Sequence, residues 1–260
     1  MTIATLEDVR LAYDVEGVGD PLLLVQGLGY GRNGWGPAPA QLARRYRVVR
    51  FDNRGFGESE ITPGPYTTAQ LARDAAAVLN AVGVESAHVV GISLGGMVAQ
   101  ELVLAFPERV RKLVLCATTP GGPRAVPMPE ETVALMRSQP HLDPTEALRL
   151  FVLNALSPDP PAELVEEIVA YRAANPPDPA GWRAQALAGA AHDAFGRLAH
   201  VRVPTLVVHG TADKVVDARN APLLAEAIPG ARLELFEGVG HLLTWERPDE
   251  FTALVEEFLA

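Results

Sequence analysis

The chain contains a serine, an aspartate and a histidine, each just after an apolar run. Together these three residue types can make a serine hydroxyl reactive. Ser93 lies in "GISLGG" (91–96), Asp213 ends "HGTAD" (209–213) and His241 lies in "GVGHLL" (238–243). A hydroxyl becomes a nucleophile only when a base takes its proton, and the base needs an acid that orients it. The chain order Ser, Asp, His therefore predicts Ser93 as nucleophile, His241 as base and Asp213 as the orienting acid.

The surroundings of Ser93 favour this interpretation over a tight turn with an inert serine. Gly91 and Gly95 flank it, the apolar "HVV" precedes it and the helical pattern "MVAQELVLAF" follows. Gly-x-Ser-x-Gly between a strand and a helix is typical of a nucleophile elbow, where a strained turn holds the hydroxyl outward. Glycines are needed there because strand and helix approach too closely for side chains.

A second carboxylate competes for the role of acid. Asp217 follows Asp213 by four positions, and we expect it to cap a helix beginning near Ala218. Asp213 is favoured because it lies nearer the end of the strand. The acid could also follow the preceding strand, but residues 116–120, "CATTP", contain no carboxylate.

The elements that must position these residues form an alternating pattern. Between most of the strands lie helical patterns at 67–83, 95–107 and 249–260. This alternation predicts an α/β fold with a mostly parallel, eight-stranded sheet and helices on both faces. Ligands bind beyond the carboxyl ends of such strands, where the three side chains are expected. The strand-like runs are "TIATL" (2–6), "RLAYDVEG" (10–17), "PLLLVQG" (21–27), "YRVVRFD" (46–52), "HVVGIS" (88–93), "VRKLVLCAT" (110–118), "TLVVHG" (205–210) and "RLELFE" (232–237).

Residues 122–202 interrupt the alternation with a proline-rich, helical pattern. Asp-Pro pairs at 143, 159 and 178 predict helix starts, since aspartate caps free N–H groups and proline is tolerated at the first helical position. We expect about four short helices here, inserted into a core formed by residues 1–121 and 203–260.

Composition narrows the classes of function. The net charge is −10 with no basic cluster to offset it, which argues against a nucleic-acid partner. No apolar run approaches the length of a membrane span, no secretory signal is found, and the single Cys116 excludes an internal disulfide. We therefore expect a cytoplasmic protein without a membrane partner. No spacing of metal ligands or phosphate-binding loop occurs, so no metal or cofactor is predicted. Oligomeric state is left open.

Four stretches of the chain together carry a family resemblance: "DNRGFGES" (52–59), "GISLGG" (91–96), "HGTAD" (209–213) and "GVGHLLTWERPDEF" (238–251). On them the chain resembles the α/β-hydrolase superfamily over essentially its whole length, in particular the esterase, lactonase and haloperoxidase-like branches. The resemblance implies the roles already given to Ser93, Asp213 and His241, and a helical cap at 122–202. It also implies an oxyanion hole formed by the backbone N–H groups of Leu28 and Leu94.

One stretch departs from the family pattern, because Gln26-Gly27 stands where the family usually has His-Gly. We expect Gln26 either to hold the loop or to touch substrate. Trp35 is expected in the core or in the pocket wall, and His192 could line the pocket. His209 is interpreted as buried scaffold, and Asp52 and Arg54 as structural.

The resemblance implies hydrolysis of a small to medium ester or lactone without a cofactor. Hydrolysis of a C–C bond in a meta-cleavage product, or peracid formation by a cofactor-free haloperoxidase, would use the same three residues. An amidase or aminopeptidase also stays open, with Glu163, Glu166 and Glu167 available in the insertion. Enzymes with an aspartate nucleophile are disfavoured because residue 93 is serine. From another class, a ligand-binding sensor on this scaffold would show slow or single turnover.

Overall fold

The computed structural model describes residues 2–6 and 8–260 and contains one sheet of eight strands in the order β1-β2-β4-β3-β5-β6-β7-β8. β1 pairs antiparallel with β2, and β2 with β4, while all later pairs are parallel. The predicted α/β fold and its mostly parallel sheet are therefore confirmed. The strands are β1 Thr2–Thr5, β2 Arg10–Glu16, β3 Asp20–Val25, β4 Tyr46–Phe51, β5 Ala87–Ile92, β6 Val110–Cys116, β7 Thr205–Gly210 and β8 Arg232–Phe236.

Burial along the strands follows their place in the sheet. Every residue of β5 and β7 is buried, as expected for central parallel strands covered on both faces. β8 lies at the edge, and its exposed Arg232 and Glu234 form an ion pair. Charged side chains on an edge strand discourage pairing with a second sheet. Ser93 and Asp213 thus follow fully buried strands, β5 and β7, and His241 follows the edge strand β8.

Helices cover both faces of the sheet. One apolar cluster joins the sheet to α2, α3 and α8, and a second joins it to α1 and α10. The predicted helices at 67–83, 95–107 and 249–260 are confirmed as α2, α3 and α10, with ends shifted by one or two residues. The helices are α1 Ala38–Leu42, α2 Thr68–Ala81, α3 Leu94–Ala105, α4 Glu130–Ser138, α5 Pro144–Asn154, α6 Ala162–Ala174, α7 Pro179–Ala190, α8 Asn220–Ala227, α9 Leu243–Glu246 and α10 Pro248–Leu259.

The segment between β6 and β7 contains the four helices α4 to α7. Asp143 and Asp178 cap α5 and α7 as predicted, since each carboxylate accepts hydrogen bonds from two backbone N–H groups. The start predicted at Asp159 is wrong, because α6 begins at Ala162 after Pro161. Pro160 precedes another proline, and a residue before proline is disfavoured in the helical conformation.

The two ends of the inserted segment lie close together. Gly121 and Asp193 form an isolated β-bridge. Leu198 and Val201, after the bridge, and Ala184, on α7, are all buried in the apolar cluster that joins the sheet to its helices. Packing therefore does not divide the chain at a single point, and the boundaries of the insertion stay a prediction.

In the described ranges 2–6 and 8–260, none of the helices has the length and apolar character needed to cross a membrane.

Candidate active site

Ser93 occupies a strained turn between β5 and α3. Its φ of 56° and ψ of −121° are unusual for a residue with a side chain. Its backbone N–H donates to Cys116 O at 2.9 Å, and its carbonyl accepts from Thr118 Oγ1 at 2.7 Å. The backbone groups of Ser93 are thus bonded to the end of β6 and to the Thr118 side chain just after it, and neither bond uses the Ser93 hydroxyl.

The glycines around Ser93 are required by close backbone contacts. A Cβ on Gly95 would lie 1.9 Å from Val25 O, and one on Gly91 would lie 2.3 Å from Gly95 O. No side chain could be accommodated without moving β3, β5 or α3. The structure thus shows the crowding that the sequence pattern predicts.

His241 and Asp213 lie side by side at the carboxyl ends of β8 and β7. The distance from His241 Nδ1 to Asp213 Oδ2 is 2.7 Å. Because an ionised carboxylate can only accept, Nδ1 carries the proton and Nε2 is left with a free lone pair in the neutral ring. The backbone N–H of His241 donates to Ala155 O at 2.8 Å, so the insertion helps to hold this loop.

Asp213 is fully buried and accepts four hydrogen bonds. Oδ1 accepts from the N–H groups of Val215 at 2.8 Å and Val216 at 2.9 Å, while Oδ2 accepts from His241 and His209. Burial by itself raises the pKa of Asp213, but the charge of His241 and the hydrogen bonds from both histidines outweigh burial and hold the pKa well below its usual range. The carboxylate therefore stays ionised.

Asp217, the rival carboxylate, points elsewhere. It accepts from the backbone N–H of Arg219 at 2.9 Å and pairs with the Arg219 guanidinium at 2.7 Å. It lies in the turn before α8, which begins at Asn220 rather than near Ala218. The structure therefore places Asp213, and not Asp217, beside His241.

His209 is a contact of Asp213 that was not predicted from the sequence. Its side chain is buried, as expected, but Nε2 lies 3.0 Å from Asp213 Oδ2 and 3.0 Å from Val216 O. Since both neighbours are acceptors, Nε2 carries the proton. The signal in the sequence was the histidine four residues before the aspartate in "HGTAD" at a strand end.

The loop after β3 lies against Ser93. A Cβ on Gly27 would be 3.0 Å from Ser93 Cβ, so the backbone of Gly27 and Leu28 passes directly beside the serine. Leu94 is the first residue of α3, and its N–H has no carbonyl four residues earlier in the helix. The N–H groups of Leu28 and Leu94 thus belong to the two segments that flank Ser93.

Gln26 holds this loop instead of lining the predicted pocket. Its Oε1 accepts from Gly27 N and its Nε2 donates to Gly34 O, both at 2.7 Å. Only 5% of the residue is exposed. Of the two roles expected for Gln26, the structure shows the structural one, because both ends of the amide are bonded within its own loop.

Of the other two pocket candidates, Trp35 lies in the core, one of its two expected places, and His192 lies away from Ser93. Trp35 is buried in the apolar cluster with Leu24 and Ala38. His192 bonds to Thr68 Oγ1 at 3.1 Å and Gln100 Oε1 at 3.4 Å, about two turns along α3 from Ser93. Burial lowers the pKa of His192 to about 4, so at neutral pH its 3.6 Å contact with Glu101 is not an ion pair. Both side chains stabilise packing between distant elements.

The insertion forms an aromatic roof over the loop after β3. A Cβ on Gly29 would lie 3.3 Å from Trp182 Cδ1 and 3.6 Å from Arg172 Nη2. The rings of Tyr30 and Tyr171 stack with centroids 6.2 Å apart. We define Tyr30, Tyr171, Arg172 and Trp182 as the roof cluster.

Other ionisable groups near the site are structural, as expected. Asp52 accepts from Arg32 N at 2.7 Å and Glu58 N at 3.0 Å. Arg54 is bound by both carboxylate oxygens of Asp74, at 2.6 and 2.7 Å. In the part of the chain that the structure describes, no group of three or more His, Cys, Asp or Glu side chains could hold a metal ion.

Comparison with known families agrees with this geometry. A family model described as the α/β hydrolase fold matches residues 20–248, which is most of the chain. The chain belongs to the α/β-hydrolase family. Several relatives carry the names of hydrolases, and this chain is a hydrolase of the same family.

Individual relatives span several chemistries. A protein of Azorhizobium caulinodans, provisionally named a carbamate hydrolase, is 34% identical and covers 96% of this chain and 95% of its own. The 2-hydroxy-6-oxononadienedioate/2-hydroxy-6-oxononatrienedioate hydrolase of Burkholderia vietnamiensis is 33% identical and covers 97% and 91%. The crystal structure of an enol-lactonase from Burkholderia xenovorans has a TM-score of 0.85 at 28% identity and covers 99% of both chains. This α/β-hydrolase is thus similar to enzymes that act on different bonds.

Proposed function

We propose that this protein is a serine hydrolase that cleaves a small to medium carboxylic ester or lactone through an acyl-enzyme on Ser93. The observation that carries the proposal is the 2.7 Å contact between His241 Nδ1 and Asp213 Oδ2, formed at the same edge of the sheet as the strained Ser93 turn. This combination orients an imidazole base and presents a hydroxyl.

In the first half of the reaction, His241 Nε2 takes the proton of Ser93 as Oγ attacks the acyl carbon. The negative oxygen of the tetrahedral intermediate accepts hydrogen bonds from the N–H groups of Leu28 and Leu94, each worth about 3 kcal/mol in comparable sites. The carbon–oxygen bond to the leaving group then breaks, and protonated His241 gives its proton to the departing alkoxide.

In the second half, water replaces the alcohol. His241 takes a proton from water as the water oxygen attacks the acyl carbon of the ester on Ser93. The bond to Oγ breaks, Ser93 regains its proton from His241, and the carboxylic acid leaves. Asp213 stays ionised throughout and stabilises the imidazolium in both halves.

The choice of ester or lactone rests on similarity to the enol-lactonase and on the aromatic side chains of the roof cluster beside the loop after β3. Hydrolysis of a C–C bond is the second candidate, because the Burkholderia vietnamiensis relative carries the name of such a substrate at 33% identity. The same serine and histidine would serve both reactions. A small soluble substrate without a nucleic-acid or membrane partner is part of the proposal.

The test is turnover of p-nitrophenyl esters from acetate to laurate by four proteins: wild type, Ser93→Ala, Asp213→Asn and Asp217→Asn. We expect repeated turnover by wild type, and losses of about 10⁴-fold or more for the first two variants. Asp217→Asn is the matched control and should retain activity. The chain-length optimum would size the pocket.

Equal activity in wild type and Ser93→Ala would refute the mechanism. Inactivity of all four proteins towards esters, with turnover of a vinylogous diketone by wild type, would favour the C–C hydrolase. A single turnover accompanied by a large ligand-induced stability change would favour a sensor.

A further inference from the structure

Arg172 on α6 is a cation without an anionic partner. It is partly buried, and its guanidinium carbon lies 4.4 Å from the centroid of the Tyr30 ring. Its Nε is buried and has no hydrogen-bond partner. No carboxylate forms an ion pair with it among residues 2–6 and 8–260. Contact with an aromatic face only partly replaces the lost hydration of such a charge.

The two arginines of this chain that are almost fully buried are paired with carboxylates: Arg32 contacts Asp14 at 2.7 Å and Arg54 contacts Asp74 at 2.6 Å. Half-buried Arg47 and Arg109 have no carboxylate partner in the described chain, but their guanidinium groups donate to backbone carbonyls. The buried Nε of Arg172 has no partner of either kind. An anion from outside the chain would therefore stabilise the partly buried charge of Arg172.

The position of Arg172 connects it to the proposed reaction. Its Nη2 lies 3.6 Å from the place that a Cβ on Gly29 would occupy. Gly29 follows Leu28, and Gly27 contacts Ser93 on the other side of Leu28. Because Cα atoms two residues apart are at most about 7 Å from each other, Arg172 and Ser93 both contact the same three-residue stretch of this loop.

We propose that Arg172 binds a carboxylate of the substrate, so that the enzyme prefers esters or lactones that carry a free carboxylate a few bonds from the scissile carbonyl. This inference rests on the proposed function and names its substrate class. The two terminal nitrogens of the guanidinium suit a forked, two-point contact with a carboxylate. One guanidinium balances one carboxylate, whereas a phosphate monoester brings nearly two charges. The aromatic side chains of the roof cluster would enclose the apolar part of the substrate.

The test compares esters matched in length. On the acyl side, p-nitrophenyl hydrogen glutarate is compared with p-nitrophenyl pentanoate, in which a methyl group replaces the carboxylate. On the leaving-group side, 4-acetoxybenzoate is compared with phenyl acetate. The proteins are wild type, Arg172→Met, Arg172→Lys and Arg183→Met. Arg183 is an exposed arginine of α7, so its variant removes the same charge from the same segment.

We expect wild type to prefer one carboxylate-bearing ester over its neutral match by about tenfold or more in kcat/KM. Arg172→Met should lower kcat/KM for that ester by about 10- to 100-fold, mainly through KM, and should change the neutral ester by less than twofold. Arg172→Lys should keep part of the preference because the charge remains. Arg183→Met should behave as wild type. The preferred pair shows whether the carboxylate lies in the acyl or the alcohol part.

Three results would overturn the inference while leaving the proposed function in place: no preference in wild type, a preference unchanged in Arg172→Met, or an equal loss for charged and neutral esters. An equal loss with a lower Tm would show that Arg172 only packs on Tyr30. If wild type hydrolyses neither kind of ester, the proposed function fails, and glutarate binding measured by calorimetry decides the inference. Binding that Arg172→Met abolishes supports the carboxylate site, and absence of binding to wild type refutes it.

Discussion

At the scale of single residues, two histidines bond to the same oxygen of Asp213. We interpret His209 as a residue that positions this carboxylate. Its hydrogen bonds do not reach Ser93: within the described chain, Nε2 bonds to Asp213 Oδ2 and Val216 O, each at 3.0 Å. The N–H of His209 lowers the pKa of Asp213 and fixes the direction of the carboxylate. His241 therefore receives its orientation partly through a residue with which it shares no hydrogen bond.

Removing this donor should lower activity without removing the base. We expect His209→Leu to reduce kcat about tenfold or more, since hydrogen bonds to charged groups contribute about 1.5–3 kcal/mol. The pKa of Asp213 should rise, so the acid limb of the kcat–pH profile should move to higher pH. His209→Gln keeps an N–H donor on a side chain of similar length and should restore much of the rate. A profile that keeps its wild-type shape in His209→Leu would contradict this role.

At the scale of elements, the docking of α7 onto the loop after β4 depends on one glycine. A Cβ on Gly181 would lie 1.9 Å from Gly55 O, whereas a Cβ on Gly189, in the same helix, would meet nothing closer than 3.4 Å. The first contact is between two backbones and has no flexible side chain that could yield. The position of α7, and of Trp182 beside Gly181, is therefore set by this contact.

The two glycines give a matched pair of variants. Gly181→Ala should lower the free energy of unfolding by about 1–3 kcal/mol and should raise KM, because α7 must move away from the loop. Gly189→Ala should be neutral or stabilising by up to about 1 kcal/mol, because alanine favours helix. Urea unfolding and ester kinetics on both variants check this. Equal effects of the two substitutions would show that the contact between α7 and the loop after β4 can shift to accommodate a methyl group.

At the scale of the whole molecule, His192 makes stability depend on pH. It joins Thr68 on α2 to Gln100 on α3. Burial lowers its pKa to about 4, although nearby Glu101 acts in the opposite direction. An unfolded chain binds a proton at this histidine below about pH 6.5, while the folded chain does not until about pH 4. Stability is therefore full above pH 6.5 and falls as the pH is lowered towards 4.

The expected loss at His192 is at most about 3 kcal/mol over this range. Urea unfolding of wild type between pH 7 and pH 4 should show it. His192→Gln cannot be protonated and should flatten the curve. His200→Gln, at an exposed histidine, is the control and should leave the curve unchanged. Folding also lowers the pKa of Asp213, so protonation of this carboxylate reduces the free energy of unfolding further at still lower pH. A His192→Gln stability curve that is flat above pH 4 and falls only below pH 4 therefore agrees with both contributions.

The sequence by itself determined the features that depend on local pattern. The sequence runs predicted all eight strands. The central parallel strands were predicted from continuous apolar segments, because a strand buried on both faces needs one, whereas β1, β2 and β8 are only partly buried and have more polar residues. Gly91 and Gly95 predicted the crowded turn at Ser93, since only glycine tolerates that approach. The positions of Asp213 and His241 just after strands predicted their meeting, because parallel strands end at one edge of the sheet.

Only the tertiary structure decided which polar side chains serve the site and which serve the scaffold. Gln26, Trp35 and His192 are in contact with residues of their own loop, the core or distant helices, and no local pattern reveals such contacts. Arg172 differs from these three side chains, because no carboxylate among the described residues forms an ion pair with it. Hydrogen bonds and ion pairs between residues far apart in the chain are set by packing, whereas period and spacing along the chain report only on the elements that pack.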